Sequence, residues 1–439
     1  MARPKIPFKL SPEQRHPITV CPDGRMRVLI VALFPVPTGG AAACRVRALA
    51  AGLSTAGAAV QVVGYLDRGH PDPGGGALTT VVHGVPYIRY QEPESTARQP
   101  RSTGWGWLRG SARTWEARRV LDHAAAFLRE SSGPQAVMLY NQRPVEAWRL
   151  GNMSSAHRAI FVQQYAEMQL QGDFERGWRD GHYLRQQCHI HLIPRRASLN
   201  LAISSWLVKR CAAAGGQRQL LVPALLDPDA SRRIPVPRPA GGPPVLTYMG
   251  AGARRDLIPE IMRAVAVASK AMPTLRLRLV GLGKGAVRAA QAWAAEHGIV
   301  DRCEIHGWVE ERSVLEGLLE SSSAFILMRP DDQSSRACFP TRLPEYLSTG
   351  RPVVLSDVGD LRLHLRDSID AFFSPPGDIA GTASAIVRCL ADPATASAVG
   401  LRGWQAARRE FCPDHHGRRV FAELEKLVSE RTQSRLPRE

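Results

Sequence analysis

The chain has 439 residues, of which 44% are hydrophobic and 6% aromatic, as is ordinary for a soluble globular protein. This length predicts two or three domains, and no apolar run approaches the roughly eighteen residues of a membrane-spanning helix. The net charge of +17 has three possible explanations: nucleic acid, an anionic membrane surface, or a compositional bias towards arginine. The arginines are scattered without an aromatic-and-basic motif. We therefore expect no nucleic acid and keep peripheral contact with an anionic membrane as a hypothesis.

The start of the chain offers two interpretations of one apolar run. Residues 1–25 are rich in proline and basic side chains and predict a disordered tail. Residues 28–36 follow two arginines and resemble a short signal-peptide core. A glycine turn and an amphipathic helix follow at once, which favours a buried parallel strand over 28–33. Without a signal, the eight cysteines are expected to be reduced thiols in the cytoplasm, with any membrane association at its cytoplasmic face.

A Rossmann-like unit is predicted next. The strand is followed by a loop that ends in Gly39 and Gly40, a helix over 41–56 and a strand over 60–63. The loop lacks the Gly-x-Gly-x-x-Gly fingerprint, and no acidic residue ends the second strand. A nicotinamide cofactor is therefore not expected.

Polar residues follow two further predicted strands of this first half. Asn141 and Arg143 come after a strand over 137–140, and Glu167 comes after a strand over 159–162. Ligands gather at the carboxyl ends of strands in open α/β sheets, so this edge is a candidate binding surface.

Residues 101–119 carry three tryptophans among five arginines. An exposed segment of this kind would suit an acceptor or a membrane surface. An amphipathic helix with its tryptophans in the core is the interpretation that we favour.

A linker is predicted at residues 231–244, which contain five prolines, two glycines and three arginines. It separates a first domain, 26–230, from a second Rossmann-like domain, 245–412. In this second half four loops follow predicted strands and converge on one sheet edge, which predicts a binding pocket. They span residues 250–255, 281–285, 306–309 and 329–345.

The last of these loops leads into the most informative stretch of the chain. A helix is predicted over 341–348, with Thr341 as its cap, Glu345 in its first turn and Gly350 at its end. A helix N-terminus favours anions, and a carboxylate there can accept hydrogen bonds from sugar hydroxyls. This combination suits a sugar nucleotide. The alternative is that Glu345 is a solvated residue that only complements the helix dipole.

The sequence Phe-Pro-Thr-Arg-Leu-Pro-Glu-Tyr-Leu-Ser-Thr-Gly-Arg-Pro-Val-Val at 339–354 resembles the donor-binding segment of family 4 retaining glycosyltransferases, the glycogen-synthase-like enzymes. The resemblance implies a GT-B fold, in which two Rossmann-like, doubly wound domains face each other across a cleft. A last helix, 413–439, is expected to cross back to the first domain. The implied activity is transfer of a hexose-type sugar, with retention, from a nucleotide diphosphate sugar to an acceptor hydroxyl on a glycan, a lipid or a small molecule.

The resemblance also assigns roles to residues. As catalytic residues it implies Arg254, Arg255 and Glu345. As donor-binding residues it implies Gly39, Gly40, Gly250, Gly283, Lys284, His306, Trp308, Arg329, Phe339, Pro340, Thr341, Arg342, Leu343 and Glu345. On the acceptor side, together with the sheet-edge argument, the candidates are Arg45, Asn141, Arg143 and Glu167. No metal and no cofactor are expected, because such enzymes place leaving-group charge on arginine and helix dipoles.

The sequence departs from the family pattern at one position. Relatives often carry a first glutamate eight residues before the one that matches Glu345, and here that position is Ala337. This departure keeps a catalytically inactive nucleotide-sugar-binding subunit open as an alternative. Independently of it, a nucleotide-sugar epimerase or a phosphorylase of the same fold also stays open.

Three clusters imitate metal sites. They are Cys188 with His189 and His191, Cys412 with His415 and His416, and the Asp-Pro-Asp sequence at 227–229. None has paired Cys-x-x-Cys spacing, so we do not expect zinc.

Overall fold

The computed structural model describes residues 24–38, 40–67, 70, 76–92, 117–130, 133–140, 142–169, 171–174, 177–235, 241–309 and 311–433. Four predictions concern residues outside these ranges: the tail up to residue 23, Gly39, Asn141 and most of the tryptophan-rich segment. The described chain divides into two compact units. The first comprises the chain up to Pro228 and again from Pro413, and the second comprises Asp229–Cys412.

The first unit is built on an eight-stranded sheet. Its strands are β1 (Arg27–Pro35), β2 (Ala59–Tyr65), β3 (Leu78–Val82), β4 (Val85–Tyr90), β5 (Gln135–Leu139), β6 (Ile160–Tyr165), β7 (Leu199–Ala202) and β8 (Gln219–Leu221). Their order is β3-β4-β2-β1-β5-β6-β7-β8, and all pairs are parallel except β3 with β4. The apolar run predicted as a central strand is confirmed as β1, whose residues 27–33 are buried.

Helices cover both faces of this sheet. They are Ala41–Thr55, Arg118–Arg129, Pro144–Ala156, Gly181–Leu192, Ser205–Ala213 and Pro413–Gln433. The last of them packs on the first through two glycines. A Cβ on Gly52 would overlap the backbone of Pro413, and one on Gly417 would overlap Gly52. Only glycine permits the two helices to approach so closely.

The second unit is built on a six-stranded parallel sheet. Its strands are β9 (Val245–Met249), β10 (Arg276–Val280), β11 (Cys303–Ile305), β12 (Ala324–Leu327), β13 (Val353–Ser356) and β14 (Phe372–Ser374). Their order, β11-β10-β9-β12-β13-β14, is the doubly wound 3-2-1-4-5-6 order of a Rossmann fold. The order reverses between β9 and β12, where a doubly wound sheet places its ligand crevice.

The second unit also contains α-helices, some of which contribute apolar residues to its hydrophobic core. They are Ile258–Ala268, Lys284–Glu296, Arg312–Glu320, Gln333–Ala337, Leu343–Ser348, Leu361–His364, Ile379–Leu390 and Pro393–Glu410, and a short helix, Pro228–Ser231, lies at the boundary with the first unit. Within the described ranges, no helix is long and apolar enough to span a membrane.

Candidate functional site

Backbone hydrogen bonds join three loops at the carboxyl edge of the second sheet. The amide of Gly250 donates to the carbonyl of Val280 at 2.7 Å, and that of Gly283 donates to Ala251 at 3.1 Å. The amide of Gly281 in turn donates to the carbonyl of Gly307 at 3.1 Å. The loops after β9, β10 and β11 therefore form one surface, which lies beside the point where the strand order reverses.

The loop before helix Leu343–Ser348 joins this surface through one arginine. Arg342 Nη1 donates to the carbonyl of Met249 at 2.7 Å, and its guanidinium lies against Gly250. A Cβ at Gly250 would overlap that guanidinium, so this close approach requires glycine.

A buried carboxylate lies at the centre of the site. Asp256 is 2% exposed, and its oxygens face Arg342 Nη2 at 3.1 Å and Arg329 Nη2 at 3.4 Å. The hydroxyl of Tyr248 donates to it at 2.8 Å, and the amide of Ala253 donates at 3.1 Å. Asp256 thereby links the turn after β9 to the residues that follow β12.

The charged groups of this cluster shift one another's pKa values. Burial alone would raise the pKa of Asp256, but Arg342, Arg329 and the Tyr248 hydroxyl together lower it below its ordinary value. Burial lowers the pKa of Arg329, and the positive charges of Arg255 and Arg342 act in the same direction. The second unit thus brings Arg255, Arg329 and Arg342 close together beside the ionised Asp256.

The two predicted catalytic arginines lie in the turn Arg254–Asp256. Arg254 is exposed and Arg255 is half-buried, and Arg255 Nη1 lies 3.8 Å from the sulfur of Cys338. Arg255 therefore faces the segment that precedes helix Leu343–Ser348, whereas Arg254 is open to solvent.

Glu345 lies in the first turn of helix Leu343–Ser348 and is exposed. Its neighbour Tyr346 is buried, and the Tyr346 hydroxyl lies 3.0 Å from the carbonyl of Met249, which fixes the helix against β9. The predicted cap was wrong: the N-cap is Arg342, without a side-chain cap bond, and Thr341 is exposed one residue earlier. The helix therefore begins two residues later than predicted.

Three predicted donor residues are buried rather than open to a ligand. Phe339 packs in a cluster with His364 and Phe411, Leu343 is 0% exposed, and Pro340 is buried. The side chains of Phe339 and Leu343 thus belong to the packed interior beneath the surface of this loop.

The remaining donor candidates lie on the adjoining loops. Gly283 is the N-cap of helix Lys284–Glu296, and Lys284 is exposed. Trp308 is 68% exposed. The amide of His306 donates to Leu279, while its Nε2 is buried without a hydrogen-bond partner within the described part of the chain.

In the first unit, the structure corrects the placement of Arg45. This side chain is 3% exposed and donates to the carbonyls of Val222, at 2.7 Å, and Pro223. Burial lowers its pKa to about 10. Arg45 therefore holds the segment after β8 and does not present its charge to an acceptor.

The other described residues of this first edge are accessible. Arg143 is the N-cap of helix Pro144–Ala156, with Nη1 3.4 Å from the carboxylate of Glu146. Glu167 is exposed, and its carbonyl accepts a hydrogen bond from Gln142. This bond brings the ends of β5 and β6 together. Gly40 is exposed at the start of helix Ala41–Thr55.

Several polar residues of both sites had not been predicted. Asp256 follows the two arginines in sequence, and that position alone could have suggested it. Gln163 and Gln164 are fully buried near the end of β6; their apolar neighbours gave no signal. Both nitrogens of His189 are buried without partners in the described ranges.

The metal look-alikes do not assemble. Burial lowers the pKa of His189 to about 3, while Cys188 beside it is exposed. Asp227 forms an ion pair with Arg47. Among the described residues, no group of three or more His, Cys, Asp or Glu side chains is placed to hold a metal ion.

Comparisons with known proteins agree with this architecture. Residues 243–392 match the model of a family described as "Glycosyl transferases group 1". No match was found among curated proteins. The matched segment lies within the second unit and contains the turn at 254–256, the helix with Glu345 and the Asp256 cluster.

Solved structures extend the comparison to the whole fold. A sucrose-phosphate synthase from Thermosynechococcus elongatus is 18% identical, with a TM-score of 0.67 over 92% of this chain and 100% of the other. HepE from Anabaena, in complex with UDP and glucose, is 15% identical, with a TM-score of 0.63 over 92% and 100%. An E. coli protein titled trehalose-6-phosphate, bound with UDP-2-fluoro glucose, is 11% identical, with a TM-score of 0.61 over 91% and 98%. The predicted GT-B fold, with two Rossmann-like units, is confirmed.

Proposed function

We propose that the protein is a retaining glycosyltransferase of family 4, which moves a sugar from a nucleotide diphosphate sugar to an acceptor hydroxyl. The observation that carries this proposal is the charge arrangement of the second unit. Arg254 and Arg255 lie beside glycine loops at the switch point of the sheet, and Glu345 is exposed in the first turn of a neighbouring helix. Two of the similar structures are complexes with UDP or a UDP-sugar analogue.

The proposed chemistry follows from these side chains. As the bond between the sugar and the diphosphate breaks, negative charge develops on the departing phosphate oxygens. A guanidinium can hold phosphate through two parallel hydrogen bonds, and a preorganised cation of this kind supplies much of the rate enhancement in such steps. Glu345 would accept hydrogen bonds from the ribose. The acceptor oxygen attacks the same face of the sugar that the leaving group departs from, so that the anomeric configuration is retained.

We further propose that neither a metal nor a cofactor is needed, because the arginines meet the leaving-group charge. Activity should then persist after dialysis against EDTA. An acceptor site at Arg143 and Glu167, the role of Asn141, and contact with a membrane remain predictions. A cytoplasmic location is supported by the described cysteines, which are free thiols.

The test begins with a thermal-shift screen of nucleoside diphosphates, since a bound ligand raises stability by mass action. Donor hydrolysis or transfer is then measured for Arg255→Ala and Arg254→Ala. We expect Arg255→Ala to lower turnover by about 10²–10³-fold and Arg254→Ala to lower it less. Arg263→Ala, an exposed arginine on helix Ile258–Ala268, is the matched control. Equal and negligible losses at Arg254 and Arg255 would exclude both from the mechanism.

Ala337 favours a second candidate, a nucleotide-sugar-binding subunit without catalysis. It is fully buried and carries no group that could contact a sugar. Donor binding without hydrolysis or transfer would support that candidate. An epimerised sugar or phosphate-dependent turnover would instead identify an epimerase or a phosphorylase.

A further inference from the structure

A small cavity lies beside the segment that precedes the helix with Glu345. Arg329, Ser335 and Cys338 supply most of its polar wall, and Asp360 also lines it. Its volume is about 10 Å³, which is close to the smallest space that holds one water molecule. The cavity therefore has room for one oxygen atom and not for a sugar or a phosphate.

Two buried polar atoms on the wall of this cavity can donate to such an oxygen. Arg329 is 7% exposed and Ser335 is 5% exposed. Arg329 Nε and Ser335 Oγ make no hydrogen bond to any residue that the structure describes. Because leaving a buried donor unpaired is unfavourable, the cavity is suited to an oxygen that accepts from both. A water molecule meets this requirement, and so does an oxygen atom added to the sulfur of Cys338.

The sulfur of Cys338 lies next to positive charge. Arg255 Nη1 is 3.8 Å from Cys338 Sγ. Burial lowers the pKa of Arg329, and a negative charge on Cys338 opposes that shift, so this second guanidinium is also close to the sulfur. Positive charge beside a cysteine favours the thiolate, which is the form that reacts with oxidants. Cys338 is half-buried rather than enclosed, so a small oxidant can reach it.

Burial makes three other cysteines poor candidates for this chemistry. It raises the pKa of Cys211 to about 12 and that of Cys303 to about 11. It also raises the pKa of Cys389. These three side chains therefore remain protonated thiols at neutral pH, and a protonated thiol is a weak nucleophile.

Two further cysteines serve as internal controls. Cys44 lies 3.3 Å from Arg47 Nη2, but the same guanidinium pairs with Asp227, which offsets its charge. Cys188 is exposed and is therefore more accessible than Cys338. Cys44 tests what a neighbouring arginine does by itself, and Cys188 tests what solvent access does by itself.

We propose that Cys338 is a site of reversible oxidation by hydroperoxides, and that the cavity holds the oxygen of the resulting sulfenic acid. The thiolate sulfur attacks one peroxide oxygen, the O–O bond breaks, and the departing hydroxide or alkoxide takes up a proton to become water or an alcohol. The sulfur is oxidised by two electrons and the peroxide is reduced by two. The new oxygen accepts from Arg329 Nε and Ser335 Oγ, and its own O–H donates to Asp360.

The modification does not depend on the proposed function, but one of its consequences does. The proposed function assigns the donor diphosphate to Arg255, which is also the guanidinium beside Cys338. A bound nucleotide would draw this positive charge away from the sulfur. We therefore expect a nucleoside diphosphate to protect Cys338 from peroxide.

The test treats the full-length protein with hydrogen peroxide in the presence of dimedone, which traps sulfenic acids as stable adducts, and locates the adducts by peptide mass spectrometry. We expect the Cys338 peptide to be labelled severalfold more than the peptides of Cys44 and Cys188. Dithiothreitol added before dimedone should abolish the label, because a small thiol displaces the sulfenic oxygen as water and then reduces the mixed disulfide. No label on Cys338, or equal labelling of Cys44 or Cys188, would overturn the inference.

Variants separate the two parts of the site. Arg255→Ala should slow the labelling of Cys338 severalfold, because the thiolate loses its neighbouring positive charge. Ser335→Ala should lower the yield severalfold, because the sulfenic acid loses a donor, and an unchanged yield would overturn the role of the cavity. Ser269→Ala, whose hydroxyl bonds within helix Ile258–Ala268, is the matched control and should be labelled like the unmodified sequence.

The outcome is distinguishable from that of the proposed function. Labelling is measured without a nucleotide, so it stands or falls independently of donor binding. UDP and GDP are then added in turn, and the nucleotide that stabilises the protein in the thermal-shift screen should reduce the labelling of Cys338. Strong labelling that no nucleotide reduces would support the modification and contradict the assignment of the diphosphate to Arg255.

Discussion

The two units both place arginine beside the carboxyl ends of their strands, but the side chains do different things. In the second unit, Arg329 and Arg342 form ion pairs with a buried carboxylate, Asp256. In the first unit, Arg45 is equally buried but donates to the neutral carbonyls of Val222 and Pro223. One arrangement is an ionic cluster at the candidate site, and the other is an internal clamp.

This difference distinguishes an arginine that stabilises the fold from an arginine that is suited to a ligand-binding site. Burial lowers the pKa of Arg45 to about 10, whereas the partners of Arg342, Asp256 among them, raise the pKa of Arg342 in spite of its burial. The electrostatics of the second unit are therefore suited to an anionic donor.

The largest effect is expected from Asp256→Asn. Removing this carboxylate leaves Arg329 and Arg342 buried without their anionic partner, which costs about 3–5 kcal/mol for a buried pair. The free energy of unfolding of the second unit should fall by that amount, as measured by denaturant titration with hydrogen exchange of its peptides.

The matched control is Asp331→Asn. Asp331 pairs with Arg336 at 2.9 Å, but both side chains are about half exposed, at 45% and 54%. Surface pairs contribute about 0–1 kcal/mol, so this change should be nearly silent. If Asp256→Asn were as mild as the control, the contrast between the two units would disappear.

The second prediction is that the stability of the first unit depends more strongly on pH than that of the second unit. Burial lowers the pKa of His189 to about 3 and that of His123 to about 4, below the ordinary 6.5. Between these values the unfolded state binds protons that the folded first unit does not, so stability falls as the pH falls. At pH 5 the loss is about 2 kcal/mol for each histidine. Asp256, with its lowered pKa, stabilises the second unit until the pH falls below its ordinary range, near 4.

Hydrogen exchange at pH 7 and pH 5 measures this difference unit by unit. His189→Leu removes one of the two titrating groups and should roughly halve the pH dependence of the first unit, because His123 still titrates. His157→Gln, at an exposed position on the same unit, should leave it unchanged. Equal acid sensitivity of both units would contradict the assignment of the effect to these buried histidines.

Local patterns predicted most elements of the sheets. The apolar run at 28–33 and the strands over 60–63 and 159–162 were recognised because period and composition agree there. The antiparallel pair β3 and β4 was missed. Its turn has His83 and Gly84 at φ 52° and 77°, as in a tight hairpin, but Pro86 within β4 interrupts the strand pattern.

The sequence predicted individual residues of the candidate site. It did not predict the ion pairs and hydrogen bonds that these residues make with distant parts of the chain. Arg342 and Asp256 are 86 positions apart, and nothing local in either segment indicates that they meet. Arg45 was placed beside a ligand because of its position after a glycine loop. Its carbonyl partners lie 177 and 178 positions later, which only the folded chain brings together.

Glu345→Gln tests the second unit without disturbing its fold. The exposed carboxylate would accept from a ribose hydroxyl, a bond worth about 1.5–3 kcal/mol, so donor affinity should fall by about tenfold to a hundredfold. Thermal stability without ligand should barely change, because a first-turn glutamate contributes at most about 1 kcal/mol through the helix dipole. Calorimetry at one salt concentration measures the affinity.

The control is Glu296→Gln, at an exposed position at the far end of another helix, and this variant should bind donor normally. An unchanged affinity for Glu345→Gln would favour the solvated-surface interpretation.

The smallest effect is expected from Arg143→Ala in the first unit. Its guanidinium lies 3.4 Å from Glu146, which is buried at the start of helix Pro144–Ala156, so its loss should cost about 1 kcal/mol of stability. Donor affinity should change by less than about twofold, since the anionic donor is assigned to the second unit. Arg149→Ala, an exposed arginine on the same helix, controls for the lost surface charge and should change neither quantity.

A loss of donor affinity as large as that of Glu345→Gln would mean that arginine in the first unit also contacts the anion, and the distinction between the two units would fail. A normal donor affinity with a raised Michaelis constant for the acceptor would instead support the acceptor role of Arg143.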